Sequence, residues 1–217
     1  MSRPLLITDC DEVLLHMVVP FRQWVDEEHG VTFDLSGGDF STALTDQKTG
    51  DVLKPEQIWA LLGGFFDTEM HRQTPIDGAV EGLAAISEVA DIVILTNLMD
   101  HRRDHRAEQL AKFGIDYPVY TNQGPKGGAL KTILDEHQPG SALFIDDLPQ
   151  HHDSVGEVAP HVWRLHMVGE PEVAPHIDCA ETKGHAHVRI DLWSEAQHWI
   201  IDRLTSGVDA PAIAKAA

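Results

Sequence analysis

Short apolar runs that alternate with stretches of helical character limit this chain to a small group of folds. Four of these runs cover residues 5–8, 92–95, 118–121 and 142–145, and a fifth covers residues 161–165. Short runs of this kind are typical of strands that are buried on both faces of a parallel sheet. Helices between successive strands make the right-handed crossovers that such a sheet needs. The sequence therefore predicts the α/β class.

The long separation between the first two runs predicts an insertion. A crossover between parallel strands needs about a dozen residues, and residues 15–74 exceed that length several times. Residues 20–29 and 55–66 carry helix start and stop signals. We expect a core domain formed by residues 1–14 and 75–205, a helical cap formed by residues 15–74, and a frayed C-terminal tail at residues 206–217. The aromatic residues of the insertion are expected to form the core of the cap: Trp24, Trp59, Phe65 and Phe66.

Composition excludes several classes of partner. The chain of 217 residues has 35 acidic and 16 basic side chains and a net charge of −19, which argues against binding a nucleic-acid backbone because that requires clustered Lys and Arg. Two cysteines do not make a disulfide framework. No apolar stretch approaches the length that spans a membrane. We expect a soluble cytoplasmic protein without a nucleic-acid or membrane partner, and the sequence leaves its oligomeric state open.

Polar side chains follow the apolar runs at the points where strands should end. In an open α/β sheet, ligands bind just beyond the carboxyl ends of the strands, so these side chains are expected to share one site. The candidate residues are Asp9, Asp11, Thr96, Asn97, Lys126, Asp146 and Asp147.

The charges of this set indicate a metal ion. Two carboxylates about 4 Å apart repel by roughly 4 kcal/mol at an effective dielectric constant near 20, and a second acidic pair adds to the repulsion. A cation is needed to hold them together, and Mg²⁺ suits because it takes a few carboxylates and completes its coordination with water and phosphate oxygens. Lys126 would offset the remaining charge. A small phosphorylated molecule is therefore the expected substrate.

The order of these motifs resembles that of the haloacid dehalogenase superfamily of hydrolases. The matching elements are Asp-x-Asp-x-Val after the first strand, Thr-Asn after the second, a Lys at a helix start, and Asp-Asp after a later strand. The resemblance covers about residues 4–165 and places the insertion where that family has its helical, C1-type cap. It implies a three-layer, Rossmann-like parallel sheet whose five strands, numbered along the chain, lie in the order 5-4-1-2-3.

The resemblance also implies a role for each matching residue. Asp9 would be the nucleophile that forms an aspartyl-phosphate, and Asp11 would be the general acid and then the base that activates water. Thr96, together with Asn97, would bind the phosphoryl oxygens, and Lys126 would steady both the phosphate and the nucleophile. A carboxylate nucleophile divides ester hydrolysis into two easier displacements.

The metal ligands follow from the same resemblance. Asp146 would bind Mg²⁺ together with Asp9 and the backbone carbonyl of Asp11, and Asp147 would be an additional metal-binding group. The sequence departs from the family pattern at Glu12, where glycine is usual.

The leading hypothesis is a Mg²⁺-dependent phosphatase that hydrolyses a small phosphomonoester. The alternatives are a phosphomutase of the same architecture and a non-catalytic, receiver-like phospho-binding module, in which the acidic pair would come first and the accepting aspartate later. The 14 histidines lack the spacing of a zinc site and are expected on the surface or at helix caps. Arg102, Arg103 and Arg106 alternate with acidic residues, which is typical of a solvated helix face.

Overall fold

The computed structural model describes residues 2–36 and 40–213, and these form a sheet with helices on both faces plus an inserted unit. Its strands and helices, in chain order, are β1 (Leu5–Thr8), α1 (Val18–His29), β2 (Val31–Phe33), β3 (Leu44–Asp46), α2 (Pro55–Gly64), α3 (Ala79–Ser87), β4 (Asp91–Thr96), α4 (Arg103–Lys112), β5 (Val119–Thr121), α5 (Gly127–His137), β6 (Ala142–Asp146), α6 (Pro149–Val158), β7 (Trp163–His166), β8 (Val188–Arg189) and α7 (Trp193–Ser206).

The main sheet is parallel and has the strand order β5-β4-β1-β6-β7-β8. The five predicted strands occupy the predicted order. The edge strand β8 was not predicted, because two residues carry no periodicity that a sequence pattern can reveal. Thr8 lies opposite both Ile94 and Ile145, so the carboxyl ends of β1, β4 and β6 meet at one edge of the sheet.

The alternation of side chains along β1 explains the three layers. Leu6 packs into a cluster with α3, α4 and α7 on one face. Leu5 and Ile7 pack with α5 and α6 on the other face. Successive residues of a strand point to opposite faces, and β1 is fully buried along its length. This burial on both sides confirms the predicted α/β class.

The insertion is not purely helical. Besides α1 and α2 it contains the antiparallel hairpin β2–β3, whereas the cap was expected to be helical. Its aromatic cluster includes Phe21, Trp24 and Phe65, but Trp59 is 71% exposed and does not join it. His16 N–H donates to the carbonyl of Thr74 at 2.9 Å, so the two connections to the core lie side by side. This pairing supports our proposal that residues 15–74 form a cap unit.

The C-terminal segment is ordered beyond the predicted helix end. Helix α7 continues to Ser206, the indole N–H of Trp163 donates to the carbonyl of Val208 at 2.9 Å, and Ala210 N–H donates to the carbonyl of His161. The expectation of a frayed tail is therefore wrong for residues 206–211, and residues 214–217 lie outside the described residues. Among the described helices, none is long and apolar enough to cross a membrane.

Candidate active site

Three carboxylates meet at the carboxyl edge of the sheet. Asp9 directly follows β1, Asp146 is the last residue of β6, and Asp147 is the next residue. Asp9 N–H donates to the carbonyl of Ile145 at 2.9 Å, which fixes Asp9 beside Asp146 and Asp147. One carboxylate oxygen of each lies within 4.8 Å of the others, and all three residues are buried.

Lys126 supplies the positive charge in this cluster. It precedes α5, is fully buried, and places Nζ 2.7 Å from Oδ1 of Asp9 and 2.7 Å from Oδ2 of Asp146. Burial alone would lower the pKa of the ammonium, but the carboxylates of Asp146 and Asp9 outweigh it and raise the pKa. Lys126 is therefore a permanently charged bridge between the two strand ends.

The carboxylates of the cluster differ in their ionisation. Burial raises the pKa of Asp9 to about 7, with Lys126 opposing the shift and Asp146 adding to it. Burial, followed by the charges of Asp146 and Asp9, raises the pKa of Asp147 well above its usual value. Burial also disfavours ionised Asp146, but Lys126 more than offsets it, so the pKa of Asp146 is lowered.

This donor set fits a divalent cation. Three buried carboxylates share a single ammonium, so the cluster has an excess of negative charge when all are ionised. Mg²⁺ is typically coordinated in proteins by clustered carboxylate oxygens of this kind. Asp9, Asp146 and Asp147 are therefore the residues that would hold the ion.

The side chain of Asp11 has different neighbours. Its Oδ1 accepts hydrogen bonds from Gln73 at 2.7 Å and from Arg106 Nη2 at 3.1 Å. The carboxylate of Asp11 does not belong to the group formed by the three other aspartates, so a role of Asp11 in metal binding would fall to its backbone carbonyl. Both contacts fix the orientation of the Asp11 side chain.

Arg106 is a site residue that sequence reasoning placed elsewhere. Together with Arg102 and Arg103 it was expected on a solvated helix face, but its side chain is fully buried and also donates to Cys10 Sγ at 3.1 Å. Leu110, four residues later, is fully buried too, which marks the inward side of α4. Alternating charges concealed this face, because charged residues are rarely fully buried unless they are paired.

The Thr96-Asn97 pair ends β4 beside this cluster. Thr96 is fully buried, and its Oγ1 has no hydrogen-bond partner within the described residues, which is unusual for a buried hydroxyl. Asn97 donates to the carbonyl of Gly124 at 3.0 Å and accepts from Asn122 Nδ2 at 2.9 Å. The structure thus places Thr96 and Asn97, which were predicted to bind phosphate, at the edge of the sheet where the three carboxylates lie.

Two histidines hold the backbone of the Asp146-Asp147 pair. His152 Nε2 lies 3.0 Å from the carbonyl of Asp146, and His166 Nε2 lies 2.7 Å from the carbonyl of Asp147. Both histidines are fully buried, so the expectation that the histidines are surface or capping residues is wrong for this pair. Burial lowers the pKa of His152 to about 3, which keeps the ring neutral.

Glu12 was noted in the sequence only as a departure from a pattern. Its backbone is left-handed, with φ 60°, a conformation that favours glycine. Its buried carboxylate accepts hydrogen bonds from the N–H groups of Met17 and Val18 at 2.9 and 2.6 Å. Burial raises the pKa of Glu12 to about 7, although these hydrogen bonds oppose the shift. Glu12 thus ties the loop after β1 to the start of α1.

A cleft of about 1160 Å³ opens above the cluster. Among the predicted site residues, Asp9, Asp11, Asn97, Lys126 and Asp147 line this cleft. Thr96 and Asp146 do not line it and are fully buried. The remaining lining comes from the insertion, the loops after β1, β4 and β5, and the segments that follow β6 and β7. A ligand that enters the cleft therefore meets the carboxylates and the ammonium together.

No protein-family model matches the sequence, and no curated protein matches it. Solved structures resemble it in fold. A haloacid dehalogenase-like hydrolase from Streptococcus pneumoniae has a TM-score of 0.61 and 14% identity, and the alignment covers 90% of this chain and 97% of that one. A candidate phosphoglycolate phosphatase from Lactobacillus plantarum aligns with a TM-score of 0.62 and 14% identity, and the alignment covers 91% of this chain and 99% of that one. A candidate β-phosphoglucomutase from Thermotoga maritima aligns with a TM-score of 0.60 and 14% identity, and the alignment covers 94% of this chain and 99% of that one. The chain therefore has a haloacid dehalogenase-like fold, as its motif order implied.

Proposed function

We propose that this protein is a Mg²⁺-dependent phosphatase that hydrolyses a small phosphomonoester through an aspartyl-phosphate on Asp9. One observation carries the proposal. The Asp9 carboxylate lines an open cleft, is held by Lys126 at 2.7 Å, and lies within 4.8 Å of two further buried carboxylates. Such a cluster is costly to maintain unless a cation and an anionic substrate use it.

The first chemical step transfers the phosphoryl group to the protein. A carboxylate oxygen of Asp9 forms a bond to phosphorus while the bond from phosphorus to the ester oxygen breaks. Asp11, two residues later, donates a proton to the departing alkoxide. Lys126, held in place by Asp9 and Asp146, neutralises charge on the phosphoryl oxygens.

The second step regenerates Asp9. Asp11 accepts a proton from water, the water oxygen attacks phosphorus, and the bond between phosphorus and Asp9 breaks to release inorganic phosphate. Arg106 and Gln73 contact the side chain of Asp11 and hold it in position for this step. When Mg²⁺ is bound by the three aspartates, it supplies further positive charge to the phosphoryl oxygens.

The comparisons support this class of reaction. Structures with the same fold are described as haloacid dehalogenase-like hydrolases, candidate phosphoglycolate phosphatases and a candidate β-phosphoglucomutase. Phosphoryl transfer is the chemistry that the phosphatases and the mutase among them have in common. The two aspartates separated by one residue at the end of β1 favour an ester substrate, since the second aspartate serves to protonate a leaving alkoxide.

The decisive test is the release of inorganic phosphate from a panel of phosphomonoesters, with Mg²⁺ and with EDTA. We expect Mg²⁺-dependent release from the wild type and a loss of at least about 1000-fold in Asp9→Asn and in Asp11→Asn. Asp202→Asn is the matched control, because Asp202 is an exposed aspartate on α7 and should retain full activity.

The outcomes also separate the alternatives. Formation of an isomerised sugar phosphate without phosphate release would indicate a phosphomutase and contradict hydrolysis. A single phosphorylation of the protein without turnover would indicate a receiver-like module and contradict hydrolysis. Wild-type activity in Asp9→Asn would contradict the proposed nucleophile.

A further inference from the structure

The cleft is larger than a phosphate group requires. Its volume of about 1160 Å³ lies above the range of roughly 300–1000 Å³ that accommodates drug-sized ligands. The groups suited to a phosphate, such as Asp9 and Lys126, are only part of its lining. The remaining volume is therefore available to the alcohol part of a phosphomonoester.

Apolar side chains from three segments line part of this cleft. Trp59 and Leu62 come from α2, Phe66 comes from the π-helical turn that follows it, and Leu98 and Met99 come from the loop after β4. Trp59 is 71% exposed and Met99 is 44% exposed. We call these five residues the apolar wall.

The exposure of Trp59 contrasts with its neighbours in the insertion. Trp24 and Phe65 are buried in the aromatic cluster of the insertion, so an apolar core was available to a tryptophan in this unit. An indole left open to solvent forgoes most of the free energy that burial would give it. Exposed apolar groups that share a cleft with a polar reaction centre are typical of a ligand site.

The cations that line the cleft are already paired. Arg102 Nε lies 2.6 Å from Asp67, Lys183 Nζ lies 2.5 Å from Asp178, and Lys126 contacts two carboxylates. Within residues 2–36 and 40–213, no Lys or Arg of the lining lacks a carboxylate partner. A second anionic group on the substrate would therefore have to compete with these carboxylates for positive charge.

We propose that the substrate is a phosphomonoester whose alcohol carries an aromatic or similarly large apolar group and no second anion. Its phosphate lies at Asp9 and Lys126, and its apolar group packs against Trp59 and Met99. This inference rests on the proposed phosphatase function and adds the substrate class. It makes Trp59 a specificity-determining residue of the reaction.

The test compares two esters with equally poor leaving groups, 2-phenylethyl phosphate and ethyl phosphate. We expect kcat/KM to be about 10- to 100-fold higher for the phenyl compound. This ratio corresponds to the free energy gained by burying one phenyl ring. In Trp59→Ala this ratio should fall about 10-fold, and because Trp59 is 71% exposed the substitution leaves the packed core of the insertion unchanged. Val52→Ala is the control, because Val52 is an exposed apolar residue of the insertion that does not line the cleft, and its ratio should match that of the wild type.

A binding measurement keeps the inference independent of turnover. Calorimetry with Mg²⁺ and wild-type protein should show 3-phenylpropylphosphonate binding about 10-fold or more tightly than propylphosphonate, with the difference reduced in Trp59→Ala. Equal binding of both phosphonates, or an undiminished difference in Trp59→Ala, would overturn the inference.

The two proposals fail in different ways. Efficient hydrolysis of carboxylate-bearing or sugar phosphates with no preference for the phenyl ester would contradict the substrate class and leave the phosphatase function intact. Absence of phosphate release from every ester, with selective binding of the phenyl phosphonate through Trp59, would contradict the phosphatase function while supporting the apolar wall as a ligand site.

Discussion

Replacing the proposed nucleophile should make the metal-free protein more stable. Asp9 is a buried carboxylate beside Asp146 and Asp147, with Lys126 as the ammonium that this group shares. Asp9→Asn removes one negative charge from this group and keeps an oxygen that can accept the hydrogen bond from Lys126. The substitution therefore abolishes turnover and relieves a repulsion in the same step, which is the usual conflict between function and stability at an active site.

The magnitude follows from the ionisation of Asp9. Its pKa is about 7 in the folded chain and 3.8 in the unfolded chain. Because the folded state binds this proton more tightly, the associated stability is fully present below pH 3.8 and is lost as the pH rises through 7. The loss is about 4 kcal/mol at pH 8 and about 2 kcal/mol at pH 5, at 1.36 kcal/mol for each unit. The advantage of Asp9→Asn should therefore grow by roughly 2–3 kcal/mol between these two pH values.

Urea unfolding in EDTA, followed by circular dichroism at pH 5 and pH 8, measures this difference. Adding Mg²⁺ should narrow the difference, because an ion that binds only the folded wild type stabilises it by about 2.7 kcal/mol at 100 times its dissociation constant. Asp202→Asn should show neither effect. An Asp9→Asn variant that is less stable than the wild type in EDTA at pH 8, or an advantage that does not change with pH, would refute the reasoning.

Three further perturbations test other parts of the site. Lys126→Met should cost about 3–5 kcal/mol in urea unfolding, because it leaves a buried carboxylate pair without its cation, and a cost below about 1 kcal/mol would contradict this. Arg106→Met and Asp11→Asn should show a coupling above about 1 kcal/mol in a double-mutant cycle, whereas additive effects would remove the proposed pairing. His152 has a pKa of about 3, below its usual value of 6.5, so its contribution to stability is present above pH 6.5 and lost on acidification. The loss of stability between pH 7 and pH 5 should therefore be about 2 kcal/mol smaller in His152→Gln than in the wild type, and equal losses would contradict the buried neutral ring.

The sequence was sufficient to predict the strands and strand ends that a local pattern specifies. Each buried strand is a continuous apolar run, and the polar residue that ends it is the next residue along the chain, as with Asp9 after β1 and Asp146 at the end of β6. Parallel strands bring such ends to one edge whatever the loops between them do. For this reason the convergence of Asp9 and Asp146 followed from a linear reading, whereas the strand order came from the resemblance in motif order.

Other parts of the site depend on contacts between segments far apart in the sequence. Arg106 is 95 residues from Asp11, and nothing in the charge pattern of α4 distinguishes a residue paired in the interior from one in water. Trp59 illustrates the converse, since a tryptophan in an amphipathic helix is ordinarily a core residue, and only the three-dimensional packing leaves it in the cleft. The side chains that we propose to position and select the substrate are therefore those that the sequence identified least well.

Glu12 shows how such a contact can override a local preference. Its left-handed backbone, with φ 60°, would be about 1–2 kcal/mol less strained if the residue were glycine. Its carboxylate, however, accepts hydrogen bonds from the N–H groups of Met17 and Val18 at the start of α1. A typical hydrogen bond contributes about 0.5–1.5 kcal/mol, so the two bonds from Met17 and Val18 together offset the strain. In Glu12→Gly we expect hydrogen exchange of the Met17 and Val18 amides to become at least about 10-fold faster, while Glu12→Gln, which retains an acceptor oxygen, keeps most of the protection. Unchanged exchange in Glu12→Gly would mean that the start of α1 is held by the packing of the insertion, and that Glu12 is not its anchor to the catalytic loop.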